Sequence, residues 1–120
     1  MTTTRTLKFE PILTSREKRE LTGEVFRQRE LVELDFSGAD LRGASFEESV
    51  LLRCSFAGAD LRGARFVSCD LHAIDLGDAV LGDNHFVGTT LVDAVGMTPT
   101  MSRIVIEAGG TFQPGRASRR

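Results

Sequence analysis

The side chains that could do chemistry are few, and their spacing suits none of it. Cys54 and Cys69 are the two thiols, and His72 and His85 are the two imidazoles. A structural zinc site asks for closely spaced Cys and His pairs, and a nucleophilic thiol asks for a neighbouring base. Neither arrangement is present in the order of this chain. The glycines at 38, 43, 58 and 63 recur singly and do not gather into a phosphate-binding loop. The expectation is therefore a non-enzyme with no catalytic, cofactor-binding or metal-binding residues and no small-molecule substrate.

Carboxylate is the remaining polar resource. Residues 31–96 hold four basic and eleven acidic side chains, a net −7 within a chain of formal net charge −2. Asp35, Asp40, Asp60 and Asp75 form the candidate acidic surface, with Asp78, Asp83, Asp93, Glu47 and Glu48 adding to the field. An acidic body does not grip phosphate backbones, so no direct nucleic-acid binding is expected. The ends are mildly basic, +2 over residues 1–30 and +3 over residues 97–120.

The elements that must position these groups follow from one register. The chain has 13 Leu and 8 Phe, and 15 of these 21 lie five residues apart without a gap from Leu21 to Leu91. A period of five fits neither a helix face nor a strand face. It fits a chain that turns a corner about every five residues. Four corners close a square coil of twenty residues, and coils stack through ladder hydrogen bonds at ~4.8 Å. Reading every twentieth residue, Leu21, Leu41, Leu61 and Leu81 share one side; Phe26, Phe46, Phe66 and Phe86 share the next. Leu31, Leu51, Leu71 and Leu91 form the third; Phe36, Phe56 and Leu76 form the fourth, which fails at Gly96. Such coils bury together what none can bury alone.

Two residues before each large centre sits a small one, such as Ala39, Ala44, Ser49, Cys54, Ala59, Ala64 and Cys69. Leu34, Ile74 and Asn84 break the rule, and Glu24 and Arg29 are poor inward residues in the first turn. Both thiols occupy this inward position, which makes them small core residues. Glycines two residues after a centre suit a tight turn.

The tandem segments Ala39-Asp40-Leu41-Arg42-Gly43 and Ala59-Asp60-Leu61-Arg62-Gly63 resemble the A-[DN]-L-x-x unit of pentapeptide-repeat proteins. The resemblance covers roughly residues 31–95 well. It implies an all-β fold, a right-handed quadrilateral parallel β-helix of about four coils, here with short helical caps at the ends. The expected organisation is an N-terminal arm and cap at 1–20, the β-helix at 21–96, and a C-terminal capping segment with a disordered basic tail at 97–120. Thr14 and Glu17 read as a capping box; Thr98 and Pro99 read as N-cap and N1 of a terminal helix. Met101, Ile104, Val105 and Ala108 follow at helical spacing.

Function is read from the outside of the coil. Val50, Leu52, Val67, Val87 and Val92 point outward on adjacent sides, and with Ile104 and Val105 they form the candidate protein interface. The expected function is a non-enzymatic protein–protein interaction module that forms a homodimer. Some relatives implied by the resemblance imitate duplex DNA and protect DNA gyrase from quinolone-type or natural toxins. A modulator of a type II topoisomerase is therefore the alternative, although this rod is shorter and less acidic. An accessory or structural spacer for an enzyme is the third reading. No apolar run reaches the ~18–20 residues that cross a bilayer, and the Thr-rich start lacks a signal-peptide core, so a cytoplasmic protein without membrane partners is expected.

Overall fold

The computed structural model describes residues 21–113. The expected capping box at Thr14 and Glu17, and the basic residues Arg116, Arg119 and Arg120, lie outside the described residues.

Each large centre sits in the middle of a segment too short to be more than one side of a coil. The strands are β1 (Val25–Arg27), β2 (Glu30–Val32), β3 (Ser45–Glu47), β4 (Val50–Leu52), β5 (Arg65–Val67), β6 (Asp70–His72) and β7 (Thr90–Val92). The helix α1 (Pro99–Glu107) and the strand β8 (Thr111–Gln113) follow among the described residues. Every pairing is parallel. The sheets run β1-β3-β5 and β2-β4-β6-β7-β8. Phe26 pairs with Phe46 and Phe46 with Phe66, while Leu31 pairs with Leu51 and Leu51 with Leu71. Bridges from Asp35 through Ser55 and Asp75 to Val95, and from Asp40 through Asp60 to Val80, make two further ladders of the same step. The result is a parallel β-helix with a twenty-residue turn.

The core is the column of centres. Phe26, Phe46, Phe66 and Phe86 stack with centroids 4.6, 4.8 and 5.2 Å apart and planes within 10°. Phe36 and Phe56 form a second stack at 5.1 Å. The two columns meet edge to face, at 6.1–6.2 Å and 85–89° for the pairs from Phe36–Phe46 through Phe56–Phe66. Both geometries suit the aromatic quadrupole.

The inward position two before each centre does more than fill space. Where it is polar, its side chain donates to the carbonyl of a centre one coil earlier. Ser49 reaches Phe26, Cys54 reaches Leu31, Cys69 reaches Phe46 and Thr89 reaches Phe66. Asn84, one of the exceptions, is buried and fully used: its amide nitrogen donates to Leu61 and Ala64 carbonyls, and its oxygen accepts from the Gly82 amide. Leu34 and Ile74 are simply buried at the same position.

Corners form two residues after each centre, where the backbone is left-handed. On the two sides centred on Leu41 and Phe36, glycine supplies this conformation in the early coils, as at Gly43 and Gly58, both with φ 70°. On the other two sides ordinary residues do so, among them Gln28, Glu48, Arg53 and Ala73, at φ 52–56°. Each such residue bears a steric cost that the ladder must overcome.

The coil ends where the centre would be Gly96. A Cβ there would collide with the Gly77 backbone, so the chain passes too closely for any side chain. Thr98 caps α1 by accepting from the Met101 amide at 3.1 Å, with Pro99 at the first turn. Met101 and Val105 join the same buried cluster as Phe86. The chain then turns at Gly109 and Gly110, and β8 resumes the ladder beside β7 with Phe112 opposite Leu91. The helical excursion makes this last step one residue longer than the others.

Ala73 is exposed and left-handed at φ 56°, and its amide still donates to the Val92 carbonyl. Ala73→Gly should therefore stabilise the fold by roughly 0.5–1 kcal/mol, the relief of left-handed strain exceeding glycine's extra unfolded-state entropy. Urea midpoints of the two proteins check this. A lower midpoint in the variant would mean that this corner is not left-handed.

Candidate interaction surface

The acidic ladder is built by the side centred on Leu41 and Leu61. Asp40 and Asp60 occupy equivalent positions in successive coils, and Arg42 and Arg62 lie two residues on, on the far side of the buried centres Leu41 and Leu61. Each arginine forks onto its own aspartate. Arg42 Nε and Nη2 reach Asp40 at 2.8 and 2.7 Å, and Arg62 Nε reaches Asp60 at 2.8 Å. Arg42 also approaches Asp60 of the next coil at 3.9 Å. Hydrogen bonding from Arg42 lowers the Asp40 pKa, and the bond from Arg62 brings Asp60 down to about 2. These carboxylates are charged, but their charge is matched at contact distance.

Asp35 and Asp75 do different work. Asp35 accepts from the Ser37 amide and hydroxyl, and Asp75 from the Gly77 amide, which closes local turns. Further pairs link successive coils: Arg27 with Glu47, Gln28 with Glu48, and Arg53 with Glu33. The Ser45 hydroxyl, with Arg27 beside it, holds Glu47 below its ordinary range. The first coils thus display opposite charges in register, with most carboxylates already engaged.

The expected apolar strip is only partly assembled. Leu52 and Val92 share a column, but His72 stands between them; Val50 is followed in its column by Asp70 and Thr90. Val50, Leu52, Val67 and Val92 are half-buried, whereas Val87 is 56% exposed. Ile104 is half-buried on α1. Val105 is 0% exposed and packs inside the chain, so it is withdrawn from the outer surface. The helical stripe faces its own coil, because burying Met101 and Val105 there covers the apolar side chains of the last coil.

Exposed apolar groups occur instead on several sides of the C-terminal coil and on α1. Val80, Val87, Val95, Ile106 and Phe112 all stand out there, Ile106 at 59% and Phe112 at 37%. Val80 and Val95 were visible as departures from the Asp40–Asp60 and Asp35–Asp75 columns. Phe112 was hidden by the extra residue that the helix inserts before β8. Among the described residues no strand pairs with the outer edge of β8.

The thiols have no place on this surface. Both are buried, both donate to backbone carbonyls, and burial raises both pKa values. Among the described residues no cluster of His, Cys, Asp and Glu could hold a metal ion, and no helix is long and apolar enough to cross a membrane.

A repetitive coil with matched charge and a tandem five-residue unit defines a class. The family model for pentapeptide repeats matches residues 35–72, in 8 copies. Over that stretch, about a third of the chain, the sequence is similar to pentapeptide repeats. Among solved structures it is similar to a pentapeptide repeat protein from the Arabidopsis thaliana thylakoid lumen. Identity there is 24% and TM-score 0.43, over 76% of this chain and 77% of that one. It is also similar to full-length QnrB1, a plasmid-mediated fluoroquinolone resistance protein, at 21% identity and TM-score 0.36. That match covers 58% of this chain and 38% of QnrB1. No curated protein matches the sequence.

The Asp60 pair has a definite pH signature. Its native pKa of about 2 lies below the ordinary 3.8. The stability it contributes is therefore complete above about pH 4 and is lost as the pH falls towards 2. The effect is small and salt-sensitive because both side chains face water. Urea midpoints from pH 5 to 2 should fall less steeply for Asp60→Asn than for the parent; identical slopes would contradict the pairing.

Proposed function

We propose that this chain is a non-enzymatic protein–protein interaction module whose contacts are made at its C-terminal coil. The observation that carries the reading is the division of the surface along the axis. Every ion pair between described residues falls between residues 27 and 62, whereas the exposed large apolar side chains, Val25 apart, fall between 80 and 112. Exposed apolar groups on several sides of one end of the rod, beside a charge-matched body, favour a partner at that end. The wider frame of the proposal is a right-handed quadrilateral β-helix of about four coils, with α1 as its C-terminal cap, acting in the cytoplasm.

The partner we propose is a second copy. A short rod buries little surface per residue, and covering its apolar end offsets that deficit. A symmetric pair closes the contact without leaving a further sticky end. The alternative remains a DNA-mimicking modulator or protector of gyrase. It would draw on Asp78, Asp83 and Asp93, but the arginine partners of Asp40 and Asp60 favour the first reading, since a mimic needs unmatched carboxylate.

Light scattering on the intact protein tests this. A species of twice 13.1 kDa is expected, shifting to the monomer in Val87→Asp or Ile106→Asp, because an unpaired charge in an interface centre is strongly disfavoured. A clean monomer at high concentration would overturn self-association. Protection of gyrase supercoiling from a quinolone by that monomer would transfer the reading to the alternative.

A further inference from the structure

β8 ends the longer sheet without any of the features that protect a sheet edge. In β4, β6, β7 and β8 the first residue bonds back to the preceding coil. The amides of Val50, Asp70, Thr90 and Thr111 donate to the carbonyls of Arg29, Ser49, Cys69 and Thr89, each at 3.0 Å. Along a strand the direction of bonding alternates, so the amide and carbonyl of Phe112, the middle residue of β8, point away from β7. Among the described residues no strand lies on that side. Protected edges carry charge, proline or a bulge. Thr111, Phe112 and Gln113 are uncharged, and they pair one to one with Thr90, Leu91 and Val92.

The core is open at the same point. Leu31, Leu51, Leu71 and Leu91 are fully buried, and Phe112 takes the next place in their column. Partnered residues of neighbouring strands share a face of the sheet, so the Phe112 ring lies on the core side. It is nonetheless 37% exposed, unlike the four leucines before it. An outward-pointing backbone and an uncovered ring thus belong to one residue, and a single added strand answers both.

The strand that fits is β8 of a second copy. A twofold axis perpendicular to the sheet sets two such edges antiparallel, keeps both inward faces on one side and places Phe112 opposite Phe112. That pair exchanges both of its backbone hydrogen bonds, and the two rings become neighbours in one column. Thr111 then faces Gln113 of the second copy, twice, on the outer face. An edge that meets its own copy must not set like charges against each other, and β8 has no charge to oppose. We propose that two copies dock edge to edge through antiparallel β8 strands, with Phe112 at the twofold axis, so that the two coil stacks continue as one rod. The proposal rests on the self-association argued above and specifies its geometry.

The test uses the full chain and two double variants. Thr111 and Gln113 are both exposed, so changing them spares the core. Thr111→Lys with Gln113→Lys sets lysine against lysine twice across the axis. Thr111→Lys with Gln113→Glu sets lysine against glutamate twice. Sedimentation equilibrium should show the dimer dissociation constant raised roughly tenfold or more in the first variant and close to the parent value in the second. In the parent, exchange of the Phe112 amide with water, followed by NMR, should slow as the concentration rises and the dimer forms. A dimer that both double variants weaken or spare equally overturns the edge pairing and leaves self-association standing. A Phe112 amide whose exchange is independent of concentration does the same. A parent chain that is monomeric at every concentration overturns the edge pairing together with the reading it rests on.

Discussion

Everything in this molecule depends on vertical register: each inward side chain meets the same kind of side chain in the neighbouring coil. Phe46 lies between Phe26 and Phe66 with ring centroids 4.6 and 4.8 Å away, a spacing that is also the spacing of a β ladder. The backbone and the core therefore ask for the same repeat distance. Because they agree, strands of only three residues suffice, although such strands would not persist alone. Leu51 and Leu71 inherit their places from the same ladders, and the donors at Ser49, Cys69 and Thr89 tie each coil to the carbonyls of the previous one.

That same constraint decides what a sequence can reveal here. The register of Leu and Phe is legible because burial leaves no freedom: every centre from Leu21 to Leu76 is buried. The inward small position is legible too, but its second duty is not. Ser49, Cys54 and Thr89 look like filler until their bonds to earlier carbonyls are seen. The corners are half legible. Glycine marks them where it occurs, yet Gln28, Arg53 and Ala73 adopt the same left-handed backbone without any compositional signal, because the ladder imposes it. Phe112 escapes the count since α1 displaces it by one residue, although it lies opposite Leu91.

The surface was less legible than the core, for a physical reason. Outward positions are not forced by packing, so their meaning depends on neighbours one coil away. Asp40 and Asp60 read in the sequence as part of an acidic field with Arg42 and Arg62 on the same side to pair with them, and those pairs form. Val105 read as a surface group because it shares a helical stripe with Ile104, whereas burial against the last coil claims it. The apolar groups that do remain outside collect where the coil ends and the matched charges have run out. Exposed ladder edges and apolar ends are the liabilities of an open solenoid, and here they coincide at β8 and Phe112.

The central claim is that side-to-side periodicity of five serves a coil-to-coil periodicity of twenty, and chain duplication tests it most directly. Inserting a second copy of residues 44–63 adds one whole coil and leaves Phe above Phe and Leu above Leu. Inserting a second copy of residues 44–48 adds one side only and moves every later residue round a corner, setting Phe beneath Leu. The measurement is the urea midpoint of each protein. The account predicts a midpoint above the parent for the twenty-residue insertion and below it for the five-residue insertion. Equal or reversed midpoints would contradict the vertical register on which the fold is argued to rest.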